Sequence, residues 1–217
     1  MFMQGFISNV ESEVGQEVEI ERHPLQPFLP VNARILMLGS FPPQQKRWSM
    51  DFFYPNFQND MWRILGWLFK ADKNAFVDLA HKCFKKDELT VFLRDVGIAF
   101  YDTAVAVRRL QGNASDAFLE IVEPTDIQRI LDALPHCRAV AATGQKAADT
   151  LCVALGVTMP AIGGFTMCKL GERQFRLYRM PSSSRAYPMK LEKKSEFYRT
   201  MFVEMGYGLE KVCSSHE

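Results

Sequence analysis

An α/β fold follows from three features of the 217-residue chain. Short apolar runs alternate with amphipathic stretches, no internal repeat or low-complexity linker interrupts them, and each apolar run ends in a polar or glycine-rich turn. The arrangement predicted is a three-layer α/β/α sandwich around a short, mainly parallel sheet of four strands.

The strands are expected at Arg34–Leu38, Gly97–Tyr101, Arg138–Ala142 and Phe175–Met180, each nearly apolar on both faces, as buried parallel strands are. Helices fill the gaps. Asn59–Phe69 carries Met61, Trp62, Leu65 and Leu68 on one face, and Thr125–Leu134 follows a Glu-Pro start with Ile127, Ile130, Leu131 and Leu134 at helical spacing. Gln145–Leu155 and Lys190–Met205 complete the set. Met159–Thr166, containing Gly163-Gly164, reads as a turn or small hairpin.

With 47% hydrophobic and 24% charged residues, the chain is long enough for one well-buried core and short for two. One domain over 1–217 is expected, with 1–22 as an N-terminal extension, and the protein is expected to be a monomer. Lys plus Arg number 26 against 25 Asp plus Glu, so affinity for nucleic acid would need a local basic patch. Five scattered cysteines without a CxxC pair suggest neither a zinc site nor a disulfide framework. The opening residues carry acids where a signal peptide needs a basic start, and no apolar run approaches the ~18 residues of a membrane span. A cytoplasmic protein without metal or cofactor is the expectation.

Chemistry-bearing residues gather just after the strands. Gly39-Ser40-Phe41-Pro42-Pro43 follows the first, Asp102-Thr103 the second, Thr143-Gly144-Gln145-Lys146 the third and Pro181-Ser182-Ser183-Ser184-Arg185 the fourth. The carboxyl edge of an open parallel sheet is where ligands bind, so these loops predict one composite site. Strand-to-helix turns also use Gly, Pro, Ser and Asp for caps.

In order and spacing, Gly39-Ser40-Phe41-Pro42, Phe52-Phe53-Tyr54-Pro55, Asn59-Asp60-Met61-Trp62 and Met180-Pro181-Ser182-Ser183-Ser184 resemble the first and last motifs of the uracil-DNA glycosylase superfamily. The hypoxanthine-DNA glycosylase-like branch is the closest match, and Gly97–Asp102 and Ala114-Ser115-Asp116 agree with it. The likeness runs from about His23 to Phe202. It implies a monofunctional enzyme of base-excision repair that flips a deaminated base out of duplex DNA and hydrolyses its N-glycosidic bond. On that resemblance Asn59 is the catalytic residue, orienting water, and Ser40, Phe41, Phe53, Tyr54 and Asp102 bind the base. Lys146, Ser182, Ser183, Ser184 and Arg185 would contact DNA, with Arg185 near the position of a wedge side chain.

Two polar groups of the uracil-specific members are replaced. Phe41 stands in the slot of a water-positioning Asp or Asn, and Met180 where the last motif often begins with His or Asn. A catalytically silent protein that binds DNA or a flipped nucleotide is therefore the alternative. Individual residues have other readings too. Asn59 could cap a helix, the aromatics could belong to the core, as Trp62 is expected to, and Asp102 could cap the next segment or pair with Arg108 or Arg109. Lys190, Lys193, Lys194 and Arg199 could extend a basic patch, or simply be a solvated helix face.

Overall fold

The computed structural model describes residues 18–110 and 118–210, so Ala114-Ser115-Asp116 and Cys213 lie outside the described residues. The predicted strands form as β2 (Ile35–Gly39), β5 (Ile98–Asp102), β8 (Ala139–Thr143) and β10 (Arg173–Met180). Each pairs in parallel with its neighbour, and every residue of β2, β5 and β8 is buried. A fifth strand, β9 (Phe165–Leu170), pairs antiparallel with β10, giving the order β5-β2-β8-β10-β9. The expectation of four strands is thus corrected to five. Phe165 and Met167 lie exposed on this edge strand, so its pattern lacks the continuous apolar run of the central strands.

Register sets the geometry of the sheet's carboxyl edge. Gly39 pairs with Asp102, Leu38 with Ala142, and Met180 with Thr143, so Asp102, Gly39, Thr143 and Met180 finish nearly level.

Beyond Asp102 the chain turns at Thr103 into a second sheet that periodicity did not announce. In it β6 (Ala104–Arg109) lies between β1 (Ile20–Arg22) and β7 (Leu119–Pro124), antiparallel to both. Ile20–Arg22, expected in an extension, therefore belongs to a folded sheet. A separate apolar cluster of Phe41, Ala104, Val107 and Leu119 packs beneath it. The two-stranded pair β3 (Val77–Asp78) and β4 (Cys83–Phe84) forms a third, separate sheet that buries Val77 and Phe84 in the main core.

The four expected helices appear as α1 (Met61–Lys70), α3 (Ile127–Asp132), α4 (Gln145–Leu155) and α5 (Leu191–Glu204), with α2 (Lys86–Val96) in addition. In α1 the apolar positions wrap so far round the helix that Trp62, Ile64, Leu65 and Leu68 are all fully buried. Helix α1 packs on α5, while α2, α4 and α5 pack on β5, β8 and β10. Asp126 caps α3 by accepting a hydrogen bond from the Arg129 N–H, as a helix N-terminus with unpaired amides favours. No helix among the described residues is long and apolar enough to cross a membrane.

Candidate functional site

The four strand ends do surround one cavity. It encloses about 890 Å³ and is lined from β2 by Gly39 to Pro43, from β5 by Asp102, from β8 by Thr143 and from β10 by Ser182 to Pro188. The long connection after β2 closes the remaining side with Tyr54, Asn56, Gln58 and Asn59.

That connection is rigid because its rings donate as well as pack. Trp48 Nε1 donates to Pro43 O at 2.7 Å, Ser49 donates through both N–H and hydroxyl to Pro55 O, and Trp62 Nε1 donates to Phe53 O. At the bend Tyr54 adopts φ 46, a left-handed conformation that costs a non-glycine residue roughly 1–3 kcal/mol and persists only under external constraint. Its constraint is visible. The ring meets Trp62 and Phe100 edge-on, and the hydroxyl lies 2.5 Å from Thr143 Oγ1. Thr143 has one proton and gives it to Leu38 O at 3.1 Å, so both bonds coexist only when Tyr54 is the donor to Thr143.

Asn59 lines the cavity, and its Oδ1 accepts from the Met61 N–H at 2.9 Å, an interaction that also fixes which amide atom is oxygen. The Nδ2 hydrogens have no acceptor among the described residues, and no buried side-chain N or O there lacks a partner. The NH₂ group is therefore accessible to solvent, on a residue that lines the cavity. Asn59 thus satisfies the first amide of α1 from the position before the N-cap Asp60, and also lines the cavity.

Asp102, buried at the end of β5, is held from behind by a residue the sequence left unassigned. His23 Nε2 lies 2.9 Å from Asp102 Oδ2, and the His23 side chain is 1% exposed. Asp102 is not paired with Arg108 or Arg109. Arg109 instead makes a bidentate ion pair with Glu21 of β1 and donates to Pro42 O, while Arg108 faces Glu120. Burial, helped by the carboxylates of Asp102 and Glu123, pushes the Tyr101 hydroxyl above its ordinary value.

Other expected site residues are placed differently. Phe53 is 2% exposed, does not line the cavity and packs on Phe52, Phe100, Tyr101 and His23, so it belongs to the core. Phe41 touches the cavity rim but is mostly buried in the small apolar cluster, and Ser40 lines the cavity. Lys146 lies on the first turn of α4 outside the cavity lining.

In the serine loop, Ser182 Oγ accepts from the Ser184 N–H and Ser184 Oγ from the Ala186 N–H, which folds the segment into consecutive turns. Ser183 is 1% exposed, and its carbonyl accepts from the Asp60 N–H. Arg185 lines the cavity with its Nε 2.9 Å from Asp60 Oδ1.

Lys194 overturns the expectation of a solvated lysine or basic patch at that position. It is fully buried, with Nζ 3.2 Å from Asp60 Oδ2 and 2.7 Å from Ser184 O. Asp60 thus ties α1 to the serine loop and α5. Arg63, also buried, donates to Phe57 O and Asn59 O, and burial together with nearby Arg185 pushes its guanidinium below the ordinary value. One carboxylate therefore sits among Arg63, Arg185 and Lys194, leaving an excess of positive charge under the cavity rim. No cluster of three or more His, Cys, Asp or Glu suited to a metal occurs among the described residues.

No protein-family model and no curated protein matches the chain. Among solved structures, a Methanosarcina acetivorans protein determined by solution NMR and provisionally named a uracil DNA glycosylase is similar over 87% of this chain and 100% of its own, with a TM-score of 0.57 and 20% identity. The likeness is one of fold.

Proposed function

We propose that the protein is a monofunctional DNA glycosylase of base-excision repair that takes a deaminated base, of the uracil or hypoxanthine class, into this cavity and hydrolyses its N-glycosidic bond. One observation carries the reading. The cavity sits at the carboxyl edge of a mainly parallel sheet and brings together in its lining the amide of Asn59, the carboxylate of Asp102 and the aromatic side chain of Tyr54. A flipped base needs such a set, because its lost stacking must be replaced and its edge read. The motif resemblance and the fold shared with the Methanosarcina protein support the same reading.

In the reaction the C1′–N bond breaks with its electron pair going to the base, and the sugar acquires oxocarbenium character. Water then adds its oxygen to C1′ and gives up a proton to solvent, and the departed base anion takes one up, leaving free base and an abasic site. The second lone pair of Asn59 Oδ1 orients that water, and the Nδ2 hydrogens stabilise negative charge nearby. An amide is a weak base, so a modest rate is expected. Arg63, Arg185 and Lys194 bias the rim toward phosphate, and Ser182, Ser184 and Arg185 are the DNA contacts proposed there. Lys146 would meet the backbone farther out.

Phe41 and Met180, both buried and apolar, favour a second reading, a protein that holds a flipped nucleotide without cutting it. End-labelled duplexes with one uracil, hypoxanthine or xanthine separate the two. Alkali-labile sites at the lesion support the glycosylase, whereas lesion-selective binding without such sites supports the silent binder.

A further inference from the structure

Every polar atom of the His23 ring is used, and none of it faces the cavity. Leu25 presents its N–H at 3.1 Å and its carbonyl at 3.0 Å to Nδ1, while Nε2 faces Asp102 Oδ2 at 2.9 Å. Around the ring Tyr101 lies 4.7 Å away, Phe41 5.3 Å and Phe53 6.2 Å, centroid to centroid. An ionised carboxylate only accepts, so the bond to Asp102 puts a proton on Nε2. Leu25 offers Nδ1 both a donor and an acceptor, so Nε2 donates to Asp102 whichever of the two Nδ1 meets.

The other carboxylate oxygen has a different surrounding. A Cβ built on Gly39 would lie 2.4 Å from Asp102 Oδ1 and 3.2 Å from the Tyr54 hydroxyl oxygen, so Oδ1 rests against bare backbone that only glycine leaves open. Asp102 lines the cavity, and with Oδ2 turned to His23 its Oδ1 is the carboxylate oxygen on the Gly39 side.

We propose that His23 is a positioning residue for base recognition. By holding Oδ2 it presents Oδ1 as a fixed, acceptor-only group to the flipped base, and so selects bases that carry a ring N–H on the edge they turn to β5. This rests on the glycosylase reading of the cavity. Uracil, hypoxanthine and xanthine have that N–H, whereas 2-pyrimidinone and unsubstituted purine carry a bare ring nitrogen there and would leave two acceptors facing each other. Without His23 the carboxylate loses its partner at Oδ2 and is free to rotate, so its acceptor is no longer fixed against the base edge. The preference should then fade.

The test compares single-turnover release of uracil with 2-pyrimidinone, and of hypoxanthine with purine, from otherwise identical duplexes. Intrinsic differences in leaving ability cancel when each ratio is compared between wild type and variant. His23→Leu is expected to lower the preference for the N–H base by at least ~10-fold, as loss of a hydrogen-bond discriminator does. His23→Gln, which keeps a donor toward Oδ2, should stay within about threefold of wild type. An unchanged ratio in His23→Leu, or a ratio in His23→Gln no better than in His23→Leu, overturns the proposal. A merely structural role would lower all rates together and leave the ratios alone. Ring ¹⁵N–¹H spectra of the wild-type protein test it without any variant: a proton on Nε2 is expected, and a neutral ring protonated only on Nδ1 overturns it. Wild type that releases no base at all overturns the glycosylase reading and this inference with it, while release without N–H preference overturns the inference alone.

Discussion

Replacing Asp60 by Asn should be among the most damaging single changes outside the apolar core. Lys194 is fully buried, and Asp60 Oδ2 at 3.2 Å is its counter-charge, its other partner being the neutral Ser184 carbonyl. Removing one member of a buried ion pair strands the other and costs about 3–5 kcal/mol. For a chain of this size that corresponds to a fall in melting temperature of roughly 10 °C. Lys194→Met should cost less, about 1–3 kcal/mol, because Asp60 keeps Arg185 at 2.9 Å and the methionine fills the vacated volume. The double variant should be less destabilised than the sum of the two singles, since neither charge is then left alone. Urea unfolding followed by circular dichroism measures all three. A cost below about 1 kcal/mol for Asp60→Asn, or a larger cost for Lys194→Met than for Asp60→Asn, would refute this account of a charge cluster that locks the serine loop to α1 and α5.

Gly39→Ala should leave the fold intact but cut base release by about 10²-fold, because the new Cβ, 2.4 Å from Asp102 Oδ1, displaces a carboxylate that His23 holds in place. Wild-type single-turnover rates would remove Asp102 from the chemistry. Asn59→Ala should lower single-turnover release by ~10²-fold with near-normal DNA affinity, and equal activity would reduce Asn59 to a cap on the Met61 amide. Cys137 and Cys168, whose thiols burial pushes up from 9.0 to about 11, should resist alkylation at pH 8 in the native protein and react in guanidinium, as mass spectrometry would show. Because these groups hold their protons more tightly when folded, their contribution is fully present below about pH 9 and is lost as pH rises toward 11. Denaturation midpoints that stay level between those two pH values contradict this.

The central sheet was legible in the sequence because burial on both faces writes continuous apolar runs, and the register of those runs brings Gly39, Asp102 and Thr143 to one edge. The second sheet was not. Strand β7 buries only Leu119 fully and exposes Glu120, Val122 and Glu123, and β6 reads as a continuation of the loop after Asp102. Helix α2 buries only Leu89, Phe92 and Leu93 among many charges, a stripe too narrow to stand out.

In the site, Asn59, Tyr54 and Asp102 could be picked out because each lies in or just after a segment rich in unusual residues. His23 and Lys194 could not. Their partners lie 79 and 134 residues away along the chain, and nothing local marks a histidine before a proline, or one lysine among several, as the buried half of a polar pair. Phe53 shows the converse, since neighbouring rings in one segment divide between core and cavity according to a bend at Tyr54 that sequence does not display.

The most direct measurement is the identity and amount of base released from a lesion duplex by the purified full-length chain in EDTA. Free uracil or hypoxanthine, matched one to one by abasic sites, with the strand intact until alkali is added, is the result predicted. Duplexes that bind tightly yet yield neither free base nor abasic site, for every deaminated lesion tried, would contradict it.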